Sequence, residues 1–151
     1  QRELASNPAQ RAASAYAREF QKADAAAKLN AEGLAFWVKD RDARARYVQA
    51  FKRSSFEGML NYYKANYPRP PYDQASEFPP IECSVLMIHG LKDTALLPGA
   101  LSGTWNWVKK DLTLVTLPEA GHFVQQDQHE AVTQTLVSWL TMKTSQVNSG
   151  N

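Results

Sequence analysis

Cysteine is almost missing from this chain. Cys83 stands alone, which excludes an internal disulfide and any cysteine-built metal cluster. It leaves the compartment open, the cytoplasm being favoured, because a secreted enzyme can also lack disulfides. Histidine is scarce too: His89, His122 and His129 share no metal-ligand spacing. Seven glycines are spread without a phosphate-cradling loop. No apolar run approaches the length of a membrane span. Net charge is low at +2, and the densest basic run (Arg41, Arg44, Arg46, Lys52, Arg53) is interrupted by Asp40 and Asp42, so it reads as a solvated helix face and no nucleic-acid partner is expected. No signal peptide is visible. The chain opens on Gln1 and runs straight into helix-forming sequence, so its true N-terminus is expected elsewhere and a targeting segment would already be gone.

What is present is enough apolar sequence, 44% of 151 residues, for one soluble globular domain burying roughly two thirds of its unfolded surface. Its pattern changes once. Residues 1–67 lack strand-like alternation and are rich in Ala, Lys, Arg, Glu and Gln. Asn7-Pro8-Ala9-Gln10 reads as a helix start, with an Asn cap and proline in the first turn. The helix is expected to reach Phe20, with Ala12, Ala13, Tyr16 and Phe20 on one side. A second helix is expected over 41–52, with Ala43, Tyr47, Ala50 and Phe51 inward. A capping box from Ser54 to Glu57 opens a third through Leu60, Tyr63 and Tyr67. Pro68-Arg69-Pro70-Pro71 ends it.

After a linker the pattern alternates. Residues 84–89 and 112–117 read as strands buried on both faces, 98–108 and 130–142 as helices, the last with Val132, Leu136, Trp139 and Leu140 inward. This makes one parallel strand-helix-strand unit with a right-handed crossover. Two strands make a poor independent sheet, and both read as central, so each needs partners that this chain does not supply. The division is therefore 1–67 as a helical layer, 68–83 as a linker, 84–142 as an α/β core segment and 143–151 as a disordered tail.

In parallel sheets, ligands gather at the carboxyl ends of strands. Asp93 lies four residues past the first strand and His122 five past the second, which puts both on one rim. A carboxylate that orients an imidazole leaves the second ring nitrogen free as a base. Spacing alone also allows Asp93 as a turn cap and His122 as a plain loop histidine. His89 either lines the same rim or is a packed wall, the latter favoured, and His129 reads as solvated. Tyr16 and Tyr63 fall on inward faces of two helices. Buried phenols need hydrogen-bond partners, though aromatic stripes more commonly just pack a core. No convincing nucleophile precedes the Asp-His pair.

These residues resemble a family. Gly90-Leu91-Lys92-Asp93, then a helix, a strand and Ala120-Gly121-His122-Phe123-Val124-Gln125-Gln126, resemble the C-terminal part of α/β-hydrolases, and the histidine stretch looks most like the epoxide hydrolase branch. Phe56-Glu57-Gly58-Met59-Leu60-Asn61-Tyr62-Tyr63-Lys64 and Ala15-Tyr16-Ala17-Arg18-Glu19-Phe20-Gln21 are similar to that family's two tyrosine-bearing cap segments. Gln1-Arg2-Glu3-Leu4 through Asn7-Pro8-Ala9-Gln10 looks like its lead-in to the cap. The resemblance runs from Gln1 to about Met142.

It implies a helical cap over a hydrolase core, with Asp93, His122, Tyr16 and Tyr63 catalytic and Phe36, Trp37, Met59, His89 and Phe123 binding substrate; Phe56 and the Trp105 region are further candidates for the apolar roof. It implies no metal or organic cofactor and a small hydrophobic epoxide as substrate. The family's nucleophilic aspartate and oxyanion loop belong to an N-terminal half that this chain lacks. A companion polypeptide carrying that half is expected, and the chain alone should be inactive. A dehalogenase of the same fold, an ester hydrolase or a non-catalytic ligand-binding relative are the alternatives. A homodimer is compatible with the low net charge.

Overall fold

The computed structural model describes residues 2–72 and 79–149, with the side chains of 146–149 left aside. The chain divides into two compact units, Gln1–Ala75 and Ser76–Asn151. The expected linker contains residues 73–78, which lie outside the described residues.

The first unit is helical: α1 (Arg2–Ser6), α2 (Pro8–Ala13), α3 (Ala15–Phe20), α4 (Ala31–Leu34), α5 (Arg41–Lys52) and α6 (Phe56–Asn66). Asn7 caps α2 as its sequence position predicts, its side chain accepting from the Ala9 and Gln10 amides at 3.0 and 3.3 Å. The expected single helix to Phe20 is broken at Ser14, whose backbone (φ −90°, ψ 11°) leaves the helix and restarts it as α3. Ser14 is nonetheless buried, taking a hydrogen bond from Gln10 Nε2 at 2.8 Å. Helix α5 has the predicted bounds, capped by Asp40 through the Ala43 amide at 2.7 Å. Of its expected inward residues, Ala43, Tyr47 and Phe51 are half-buried, but Ala50 is exposed. The cap of α6 is Ser55, one residue later than expected, because Ser54 turns back to the Ala50 carbonyl at 2.9 Å.

Small residues make this unit's core. Ala17, Ala25, Ala31 and Ala35 are buried with Leu4, Val38 and Leu60. Alanines let α3 approach α6 and α4 approach α5 closely at little entropic cost.

The second unit holds a parallel pair, β1 (Val85–Gly90) and β2 (Leu112–Leu117), in the register Val85↔Leu112 to Gly90↔Leu117. Helices α7 (Val124–Asp127) and α8 (His129–Ser149) pack against β1. Trp139 anchors α8, its Nε1 donating to Thr113 Oγ1 at 3.1 Å. Among the described residues no third strand pairs with either edge.

Two expectations change here. The span 98–108 is not one helix but two 3₁₀ turns, Pro98–Leu101 and Thr104–Trp107. Gly103 between them takes φ 80°, a left-handed conformation that ends the first turn and that glycine adopts without a Cβ clash. The last helix does not stop near Met142. No glycine or proline interrupts residues 129–149, and Lys143 pairs with Asp111, so α8 continues through much of the expected tail. Its expected inward residues also divide: Val132 and Trp139 are half-buried, whereas Leu136 and Leu140 are 45% and 48% exposed. Among the described residues no helix is long and apolar enough to cross a membrane.

Candidate active site

The Asp-His pair forms as its strand-end positions predict. His122 Nδ1 meets Asp93 Oδ2 at 2.9 Å. The carboxylate is buried at 4% side-chain exposure while the imidazole is 37% exposed, so the ring is open to solvent and the group that orients it is not. Asp93 Oδ1 accepts the Ala95 and Leu96 amides at 2.7 and 2.9 Å. Burial pushes the Asp93 carboxyl upward, but the Leu96 amide, the His122 ring and the Ala95 amide outweigh it, leaving the carboxyl below its ordinary range. An ionised carboxylate on Nδ1 fixes a tautomer with the proton there, so Nε2 is the nitrogen left to act as a base.

Backbone stitching holds the two loops together. Leu91 N–H donates to Leu117 at 3.0 Å and Lys92 N–H to Ala120 at 2.8 Å. Gly90 is where they cross: a Cβ there would lie 2.3 Å from the Gly121 carbonyl oxygen and 2.5 Å from that of Ala120. Only glycine allows that approach. On the other side of the histidine, Asp127 Oδ2 accepts the Gly121 N–H at 2.9 Å, closing the turn that presents His122. The Phe123 ring stands edge-on to the imidazole at 5.0 Å.

His89 lies on β1 opposite Thr116, and its Nε2 is buried without a hydrogen-bond partner among the described residues. His129 opens α8 and is exposed. Among the described residues no group of three His, Cys, Asp or Glu side chains is placed to hold a metal ion.

The helical unit brings the two tyrosines together. The Tyr16 and Tyr63 rings lie 6.1 Å apart at 79°, with Phe20 completing the triangle at 5.7 and 5.1 Å. Burial raises the Tyr63 phenol above its ordinary range, the neighbouring Tyr62 adds to the rise, and a hydrogen bond with the Tyr16 hydroxyl offsets part of it. Met59, one turn before Tyr63 on α6, shares its face and is 38% exposed. Trp37 packs its ring on Tyr47 at 5.0 Å, and Phe36 is 73% exposed. An exposed phenylalanine is not part of a closed roof in this unit as it stands.

Gly90 and Gln21 stand inside the quoted motifs without a role of their own, and Asp127 lies outside them. Gly90 and Asp127 act through backbone contacts between segments some thirty residues apart or across a turn, which no periodicity reports. Gln21 had a visible signal: the prolines after α6 lack N–H groups, so carbonyls there need a donor from elsewhere.

No family model matches the chain. It is 30% identical over 94 residues to the rat (Rattus norvegicus) protein bifunctional epoxide hydrolase 2, covering 62% of this chain and 17% of that protein. In structure it is similar to a Bacillus megaterium epoxide hydrolase variant complexed with its product (R)-3-[1]naphthyloxy-propane-1,2-diol, with a TM-score of 0.77, 25% identity, and coverage of 93% of this chain and 55% of that one. It is likewise similar to an epoxide hydrolase of the α/β-hydrolase superfamily from hot-environment metagenomes, at TM-score 0.71 and 29% identity, covering 91% of this chain and 53% of that one. The chain thus spans about half the length of the solved structures it matches. Its fold is that of part of an α/β-hydrolase, and its relatives are epoxide hydrolases, as the motifs implied.

Proposed function

We propose that this relative of the α/β-hydrolase epoxide hydrolases is the segment that carries their acid-base machinery, and that with a companion segment it hydrolyses a hydrophobic epoxide to a vicinal diol. The observation that carries the reading is the 2.9 Å bond from a buried carboxylate to a half-open imidazole at the carboxyl rim of a parallel pair. The paired phenols of the helical unit support it.

The chemistry takes two steps. An aspartate carboxylate of the companion segment attacks one epoxide carbon, and the carbon–oxygen bond breaks. Tyr16 and Tyr63 hydrogen-bond the departing oxygen and one of them gives it a proton. An alkoxide is a poor leaving group, so donors placed where charge develops act most strongly in the transition state. The raised Tyr63 phenol keeps its proton through neutral pH until that charge appears. His122 Nε2 then takes a proton from water, the hydroxide attacks the ester carbonyl, the diol leaves with the carboxylate restored, and the imidazolium proton passes through solvent back to the phenolate left by the first step. Asp93 stays ionised and stabilises the imidazolium. Epoxide plus water gives diol, with no cofactor in the balance. Phe123 and Met59, beside the two polar groups, contribute apolar surface for the substrate.

The test is reconstitution. The chain is mixed with a segment supplying the aspartate, and turnover of 1-naphthyl glycidyl ether is followed; this epoxide would give the diol seen with the Bacillus megaterium variant. His122→Gln should stop turnover after the first step and leave the alkyl ester on the companion as a mass increase. Tyr16→Phe with Tyr63→Phe should abolish epoxide opening, yet spare halide release if the chain belongs to a dehalogenase instead. Unchanged hydrolysis in the His122 variant rules the reading out.

A further inference from the structure

The end of α6 has a supply problem. Carbonyls of a last helical turn lack intrahelical donors. After Tyr67 the positions that would serve its carbonyl are Pro70 and Pro71, and neither carries an N–H. Tyr67 itself takes φ −76° and ψ 128°, the extended geometry imposed on a residue before proline. The Tyr63 carbonyl already takes the Tyr67 N–H at 3.2 Å, but the Tyr67 carbonyl needs a donor from outside the helix, and it comes from beside the other tyrosine-bearing helix. Gln21, the residue just after α3, donates from Nε2 to the Tyr63 carbonyl at 3.0 Å and to the Tyr67 carbonyl at 2.8 Å. One amide group thereby spans the final turn of α6.

The position of that clamp matters because of what lies beside it. Phe20, adjacent to Gln21, is the ring that packs edge-on against both Tyr16 and Tyr63. Tyr63 is both the residue whose carbonyl is held and the residue whose ring stands edge-on to Tyr16 at 6.1 Å. A terminal turn otherwise frays, and any rotation of it is amplified at the end of a side chain as long as tyrosine.

We propose that Gln21 is a positioning residue: its amide locks the last turn of α6 to the end of α3 and so sets the approach of the Tyr16 and Tyr63 hydroxyls. Its use in catalysis rests on the epoxide-opening role given to those phenols above. The lock itself does not.

The experiment is a measurement of cross-ring contacts in the full chain by NMR with ring-labelled aromatic residues, for wild type, Gln21→Ala and Gln21→Met. Methionine keeps the volume and removes the donor, which guards against a variant that merely collapses. The Tyr16–Tyr63 cross-ring contact, 6.1 Å between ring centroids, should weaken in both variants. The edge-on contact of Tyr47 with Trp37 at 5.0 Å is the internal control and should persist. A Gln21→Met chain that keeps the wild-type Tyr16–Tyr63 contact overturns the proposal, and so does one in which the Tyr47–Trp37 contact weakens equally. In the reconstituted enzyme, Gln21→Met should lower kcat roughly 10-fold to 100-fold with little change in KM. If the ring contact weakens while turnover ignores both tyrosines, the function falls and the lock stands.

Discussion

The two units treat apolar side chains in opposite ways. The helical unit buries its own: Leu4, Val38, Leu60 and four alanines are nearly inaccessible, and Phe36, Met59 and Tyr62 are its exposed large apolar residues. The strand unit buries Ala120 and little else of that kind, and it leaves Ile81, Leu91, Leu96, Trp105, Trp107, Leu114, Leu136, Val137, Leu140 and Met142 more than a third exposed. A helix can satisfy its backbone alone and needs one covered stripe. A parallel strand needs partners on both edges and cover on both faces. The helical unit is therefore close to self-sufficient, whereas the strand unit has the surface of a layer that expects more protein. Yet the Asp-His pair sits in that less complete unit, held by local stitching rather than by a deep core.

If this contrast is right, core truncation should hurt one unit far more than the other. Leu60→Ala, at 2% exposure, should cost about 2–4 kcal/mol in urea unfolding followed at 222 nm. Leu136→Ala, at 45% exposure, should cost under about 1 kcal/mol and reduce self-association on a sizing column. Equal costs would break the comparison.

Gly90→Ala tests whether the strand unit's order depends on its stitching. The new Cβ meets backbone, which cannot swing aside, so about 1–3 kcal/mol of destabilisation is expected. The His122 ring should lose its Nδ1–H signal to Asp93 in proton NMR. A persistent signal would show that the loops do not depend on that crossing.

Asp93 links the strand unit to pH. Its folded carboxyl titrates below the ordinary 3.8, so the folded state binds its proton less readily than the unfolded chain. Its contribution is present in full above the unfolded value and disappears as pH falls through the folded one. Acid unfolding below about pH 4 should therefore be blunted in Asp93→Asn relative to wild type, although the variant is less stable at pH 7. A parallel pair of curves would sink this assignment.

The smallest effect belongs to the helix start. Asn7→Ala should cost about 1 kcal/mol in the helical unit alone, measured by thermal melting.

Local chemistry was the legible part of this molecule. Strand 112–117 and helix 41–52 were read to the residue because β-branched runs, turn residues and an Asp cap act within a few positions. The Asp-His pair was legible as a candidate because parallel strands place their carboxyl ends on one rim. The pairing of Tyr16 with Tyr63 came from family motifs rather than from spacing. What stayed hidden depends on partners remote in sequence. The crossing at Gly90 and the Gln21 clamp are such contacts, and Leu136 and Leu140 looked inward because helical period marks an apolar stripe without saying what covers it. Gly103 splits an apparent helix through its own dihedral angle, a choice that its neighbours do not announce.

A slip of one residue in the register of the parallel pair would move β2 by about 3.3 Å and turn every side chain on it to the other face. His122 would then leave with the strand, and a 2.9 Å bond would have no way to survive. The Asp-His pair thus serves as a reporter of correct folding. A chain that shows the imidazole–carboxylate signal has threaded its strands correctly, so misregistered molecules can be counted in a refolding mixture by the fraction in which that signal is missing.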